Sequence, residues 1–267
     1  MSALDFSKLG KTAAQSDDLT KNKSFEREVP KEGLAFLRLI GYIETGRHKS
    51  RNPAYKPALN TQLIFELSHK RHLIDMDGTM VPQKFTLRLN KGATAKSGYK
   101  KVFNQMNKAC GGGHTTFFQM MGKPLLGEIF HNIVEKDDTK TVYANLDNDG
   151  AFSFKAPKQE DAISGDIVNV AIPEVHNEMI GFMWENTSFD DDTYKAMWES
   201  LYIDGTRTDK DNKEVSKNWI QELIMKNLEW EGSTCQAITQ EHVNLDDISG
   251  SIDLADAAES SDPISMD

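Results

Sequence analysis

Cations interleaved with aromatic rings are the groups in this chain whose types and spacing could do chemistry. Phe36, Arg38 and Tyr42 recur at even positions of one apolar run, and Lys84 and Arg88 do so in another. Arg47, His48, Lys49, Arg51, Tyr55 and Lys56 crowd the segment after the first run, and Lys100 and Lys101 follow further on. Single-stranded nucleic acid is bound by cations that track its backbone and by aromatic faces on which bases stack, at about 1–3 kcal/mol per base. The charge balance is positional. Residues 31–110 hold 15 Lys/Arg against 5 Asp/Glu, in a protein whose net charge is −10. Residues 241–267 hold 8 carboxylates and no Lys or Arg. A concentrated basic stretch in an acidic protein reads as a local polyanion site beside an acidic tail that competes for it or engages a partner. The plainer alternative is a solvated lysine-rich face with Tyr42 and Tyr55 half-buried.

Other constellations are weaker. Cys110, His114, Cys235, His69 and His72 lack paired zinc-ligand spacing, and the two cysteines suggest no disulfide framework and a reducing compartment. Asn145, Asp147, Asp149 and Gly150 open like a calcium loop, but Ala156 stands where its glutamate is needed, so a hairpin turn accounts for them better. Glu185 with Asp190, Asp191 and Asp192 could form a two-metal nuclease cluster; capping of a following helix is the simpler reading. Residues 111–113 are glycines without the Lys-Ser/Thr of a phosphate loop, and no GxSxG or dinucleotide fingerprint occurs. No cofactor or metal is expected, and no catalysis.

The elements that must position the basic groups are legible as periodicity. The run LAFLRLIGYIETG reads as a strand with Leu37, Leu39 and Ile43 on a core face and Phe36, Arg38, Ile40, Tyr42 and Glu44 on the other. Residues 46–59 contain Pro53 and Pro57 and read as a loop. QLIFELSH follows with Leu63, Phe65 and Leu67 inward; DMDG is a turn; KFTLRLN puts Phe85, Leu87 and Leu89 inward and Lys84, Thr86, Arg88 and Asn90 outward. From Thr94 the spacing of Tyr99, Val102, Phe103, Met106 and Cys110 predicts an amphipathic helix ended by Gly111, Gly112 and Gly113, with Lys96, Lys100, Lys101 and Lys108 largely off its apolar stripe. GEIFHNIVEK and TVYANLD read as strands, and Asn148, Asp149 and Gly150 as a tight turn into AFSFKA.

Strand, strand, strand, helix, strand, strand is the element order of an OB-fold, whose strands 2 and 3 with their flanking loops bind single strands. The expected fold class is mainly β, an OB-like barrel with added helices, an α+β elaboration and a disordered acidic C-terminal tail. The expected organisation is a mobile N-terminal arm (1–30), an OB-like nucleic-acid-binding core (31–175), a Trp-rich helical segment packing on that core (176–240) and the tail (241–267). In the third unit Trp184, Met197, Trp198, Leu201 and Tyr202 supply bulk. Residues 216–230 suggest one helix, buried through Trp219, Ile220, Leu223, Ile224 and Leu228 and stopped by Gly232. The N-terminus lacks an apolar signal region and no run approaches a membrane span, so a soluble, cytoplasmic protein is expected.

Residues 33–67 (GLAFLRLIGYIETGRHK…QLIFELS) resemble a family of tailed-phage proteins regarded as single-stranded-DNA-binding proteins, in which GYIE-x-G is followed by a basic loop and a FELS-type strand. Residues 197–233 (MWESLYIDGT…SKNWIQELIMKNLEWEGS) look like the Trp-rich C-terminal block of the same family. The acidic end is similar to tails by which such proteins recruit replication enzymes, although it finishes Ile264, Ser265, Met266, Asp267 and lacks their common terminal aromatic residue.

The resemblance implies a non-catalytic protein that coats single-stranded DNA during phage replication or recombination, in the host bacterial cytoplasm. Phe36, Arg38, Tyr42, Arg47, Lys49, Arg51, Tyr55, Lys56, Lys84, Arg88, Lys100 and Lys101 are the expected nucleic-acid contacts. Asp246, Asp247, Asp253, Asp256, Glu259 and Asp262 are the expected partner contacts, for replication, recombination or transcription proteins. A metal-dependent DNA-processing nuclease, and a structural or regulatory phage protein that binds protein partners, are the alternatives.

Overall fold

The computed structural model describes residues 29–50, 52–76, 78–136, 139–184, 188–209 and 212–239. The N-terminal arm up to residue 28, Arg51, Glu185 and all six proposed tail contacts (Asp246, Asp247, Asp253, Asp256, Glu259 and Asp262) lie outside them.

Apolar alternation builds a curled, mainly antiparallel half-barrel sheet. Its strands are β1 (Gly33–His48), β2 (Ala58–Leu67), β3 (Leu73–Met76), β4 (Thr79–Asn90), β5 (Pro124–Lys136) and β6 (Thr139–Asn145), in the spatial order β3-β4-β2-β1-β5-β6. Helix α1 (Gly98–Ala109) joins β4 to β5; Ser97 caps it by accepting from the Lys100 N–H. Leu37, Leu39, Leu63, Phe65, Leu67, Phe85 and Leu87 bury one sheet face against Val102 and Met106 of α1. The predicted helix and the apolar rows of β2 and β4 are therefore present, and β3 is a short extra strand that the DMDG turn connects to β4.

β1 departs from its predicted alternation. Leu39 pairs with Phe65 and Gly41 with Ile64, so Ile40 is an extra residue in the ladder. A bulge of this kind flips the parity of everything after it. Tyr42 then shares the inner face with Leu63, while Ile40 and Ile43 turn to the opposite side. That opposite side is not a solvent face. Ile40, Ile43 and Ile64 pack there against Phe182, Trp184, Tyr194, Trp198, Leu201, Ile220, Ile224 and Cys235.

The C-terminal block reaches this face by two routes. After β7 (Asp147–Asn148), β8 (Ala151–Phe152), β9 (Phe154–Lys155), and the exposed hairpin of β10 (Lys158–Glu160) with β11 (Ile167–Asn169), residues 170–179 cross the sheet without regular structure. β12 (Ile180–Phe182) then runs parallel to Gly41–Ile43 of β1, beyond the stretch of β1 that β5 occupies. Helix α2 (Asp191–Glu199) follows, then the small hairpin of β13 (Thr206–Thr208) and β14 (Glu214–Ser216), then α3 (Trp219–Met225) and α4 (Thr234–Thr239). Trp198 stacks on Trp230 with centroids 5.6 Å apart, and Phe182 meets Trp198 edge-on at 5.8 Å.

The single helix expected over 216–230 is shorter than that. It begins at Trp219 and ends at Met225, Leu228 is half exposed, and the Leu228 N–H instead bonds to the Arg47 carbonyl at 2.8 Å. Gly46 makes that docking possible. Its φ is +87°, and a Cβ placed there would lie 2.5 Å from the Asn227 side chain.

Candidate nucleic-acid interface

Two of the expected contacts are interior groups. Arg38 is 6% exposed. Its guanidinium donates to the carbonyls of Pro173 (2.7 Å), Ile172 (3.0 Å) and Gly122, and an ion pair to exposed Glu174 at 3.6 Å is peripheral. Glu66, opposite Arg38 on β2 and fully buried, accepts from the backbone N–H groups of His176 and Asn177 and from the Asn177 amide at 2.7–3.1 Å. Arg38 and Glu66 thus clamp residues 172–177 across the sheet, one holding carbonyls and the other N–H groups. This arginine has no donor face turned to solvent, which corrects its assignment as a phosphate contact.

Tyr42 is corrected for a different reason. The bulge at Ile40 carries its ring into the inner core, 2% exposed, stacked on Phe117 at 5.5 Å. Its hydroxyl donates to Glu44 at 2.5 Å and shares a hydrogen bond with the Tyr99 hydroxyl at 2.8 Å. Burial, then the Glu44 charge, pushes its pKa far above the ordinary phenol value. Fully buried Glu44 also accepts from Lys91 Nζ at 2.6 Å and from the Trp184 backbone N–H at 3.2 Å. Phe36 is half-buried with its ring edge-on to His69 at 4.8 Å.

The remaining cations separate by face. Lys84 pairs with Glu66 and Arg88 with Gln62, so both project on the side of the C-terminal block, and four residues of strand put them about 13 Å apart. Lys84 is exposed; Arg88 is half-buried. Lys100 and Lys101 ride on α1, on the other side of the sheet. The trough expected from converging strand rows is therefore absent among the described residues.

One end of the sheet does gather charge. Arg47 and Leu59 pair at the open end of the β1–β2 hairpin, and the Lys91 N–H bonds to the Leu59 carbonyl at 2.7 Å where β4 finishes. Gly98, the first residue of α1, lies at the same end, where a Cβ placed on it would be 3.4 Å from the Leu89 side chain. The β1–β2 loop with Lys49, Tyr55 and Lys56 and the start of α1 with Lys96, Lys100 and Lys101 therefore emerge together.

Tyr55 is half exposed, and an Asn52-centred turn shapes its loop. Lys100 Nζ lies 5.0 Å over the Phe103 ring. Arg47 pairs with Glu229 at 3.0 Å, both partners partly solvated, a contact worth little. No described carboxylate lies within ion-pair distance of Lys49, Lys56, Lys96, Lys100 or Lys101. His48, His69 and His72 add no charge at neutral pH, because burial in each case lowers the pKa.

Sequence reasoning passed over Lys91 and left Lys96 out of the expected contacts. Their signal was position, directly after an apolar strand and directly before a helix cap.

Of the expected nuclease cluster, Glu185 lies outside the described residues, and the three aspartates sit at the start of α2. Asp190 is spent as the N-cap of α2, accepting from the Thr193 N–H at 2.7 Å, a bond that lowers its pKa. Asp191 and Asp192 fill the exposed first turn, and among the described residues no group of three or more His, Cys, Asp or Glu could hold a metal. The calcium-like segment is a turn, with Asp149 and Gly150 at φ +50° and +75° between β7 and β8. Neither cysteine forms a disulfide, and no helix among the described residues is long and apolar enough to cross a membrane. No family model, no curated protein and no solved structure matches the chain.

Proposed function

We propose that the protein binds single-stranded DNA without catalysis, on an OB-like half-barrel, at the end of the sheet where the β1–β2 loop meets the start of α1. The observation that carries this reading is the joint emergence there of Lys49, Lys56, Lys96, Lys100 and Lys101, none ion-paired with a described carboxylate, beside half-exposed Tyr55. Lysines supply phosphate contacts and Tyr55 a face for one base. In this proposal the activity serves to coat DNA during phage replication or recombination, as the sequence resemblance implies. The acidic segment 241–267, at −8, is suited by charge to recruiting proteins or to competing for the basic end.

Counterion release sets the test. Five lysine contacts with a single strand give a slope of log K against log salt of about −3.5. Labelled oligo-dT titrated from low to high salt is expected to show that steep loss, with weaker binding to a duplex of equal length. Absent binding, or binding indifferent to salt, overturns the proposal.

A further inference from the structure

Gly78 to Gly127 is a run of fifty residues with eight Lys or Arg and no carboxylate, in a chain that is otherwise strongly acidic. The fold lays the middle of that run out as α1. Val102 and Met106 are buried against the sheet, which turns the helix's opposite side outward. Lys100, Asn104 and Lys108, spaced i, i+4 and i+8, form one row there with Lys101 beside it, and Asn104 and Lys108 are exposed. Eight residues of helix separate the first and last of these lysines by about 12 Å, enough to meet more than one phosphate.

The row continues at both ends. Upstream lie Lys96 and the β1–β2 loop. Downstream the chain reverses through Gly111, Gly112 and Gly113 at φ +96°, +81° and +80°, and a Cβ at any of the three would find no atom within 4 Å. Three successive left-handed positions require glycine, and they leave the turn bare on its outer side. Beyond it Asn107 holds the His114 backbone by both its N–H and its carbonyl, each at 3.0 Å. Lys123 Nζ then lies 3.0 Å from His114 Nε2, a second cation fixed at the far end.

We infer that the outer face of α1 is a phosphate track. It carries the backbone of single-stranded DNA from the β1–β2 loop along Lys100, Lys101, Asn104 and Lys108 to the glycine turn and Lys123. The inference rests on the proposed function and adds to it a path and a second anchoring region. None of Lys100, Lys101, Lys108 and Lys123 is ion-paired with a described carboxylate, so no described residue neutralises the track. Asn104 adds a neutral donor that tolerates any sequence.

The test pairs two variants with two lengths of oligo-dT, about 4 and about 16 nucleotides, the limits of site size for one such module. The α1 variant, Lys108→Ala/Lys123→Ala, removes two lysines of the track that lie outside the loop end; alanine is the best helix former, and circular dichroism checks that the helix is kept. On the long oligomer the double variant is expected to bind on the order of 25-fold more weakly at 0.1 M salt, with the salt slope shallower by about 1.4. On the short oligomer, which fills the loop end, its affinity should stay within twofold of the parent. Lys49→Ala/Lys56→Ala should weaken both lengths. Equal losses on both lengths for the α1 variant, or none, overturn the track while leaving the loop-end reading intact. If the parent protein binds neither oligomer, the function itself fails and the track with it.

Discussion

Arg38→Met separates the two roles this arginine could play. As a surface contact it would contribute one phosphate interaction, and its loss would make the salt slope shallower by about 0.7 with no change in stability. The structure gives it a different task. The guanidinium satisfies the carbonyls of Gly122, Ile172 and Pro173, groups that methionine leaves without donors beside the sheet. Hydrogen bonds from a charged donor contribute about 1.5–3 kcal/mol each, and part of that is offset by desolvating the arginine. Breaking such a buried cluster from one side costs about 3–5 kcal/mol. The pair with Glu174 adds little, because that carboxylate is almost fully solvated. For a folded unit of this size the loss corresponds to a fall in Tm of roughly 6–20 °C. Thermal unfolding followed by circular dichroism measures it, and oligo-dT binding is then measured well below the lowered transition. A Tm within 2 °C of the parent together with a shallower salt slope would refute the clamp and return Arg38 to the binding surface.

Trp198→Ala removes the ring that meets Phe182 and stacks on Trp230, and it should cost about 3–5 kcal/mol. Because Phe182 pairs in register with β1, far-UV circular dichroism and tryptophan fluorescence should shift together; a sheet transition that stays in place while fluorescence melts early would show that the C-terminal block is not part of the same cooperative unit. Glu222 is buried with one carboxylate oxygen unpaired, and burial raises its pKa above 4.5, only partly opposed by Lys226 and Arg207. A carboxyl raised in the folded state favours folding most at low pH, and that contribution is lost as pH rises through the folded pKa. Glu222→Gln should remove this decline, so its urea midpoint should exceed the parent's by a margin that grows from pH 4.5 to 8; parallel curves for the two proteins would discredit the assignment.

The rows Leu63, Phe65, Leu67 and Phe85, Leu87 were legible because strand alternation depends only on local sequence. The same holds for the helix over Tyr99 to Cys110, whose stripe and glycine stop lie within a few turns. The turn at Asp149 and Gly150 and the cap at Asp190 were legible for the same reason. Tyr42 was misplaced because one extra residue at Ile40 changes the parity of the strand, and no pattern within that strand marks it. Arg38 looked like a surface contact, since the carbonyls it holds lie 84 to 135 residues further along the chain. The helix through Leu228 looked continuous because its apolar spacing was right, and only docking on Arg47 ends it early.

Sequence alone determined the strands, the helix, the turns and the confinement of positive charge to one stretch, all consequences of short-range stereochemistry and composition. Tertiary structure alone decided which cations meet. The C-terminal block covers the sheet face where a trough was expected, and the sheet ends bring together a loop and a helix start that lie forty residues apart. Burial and proximity depend on which distant segments pack together, and that is a property of the whole fold.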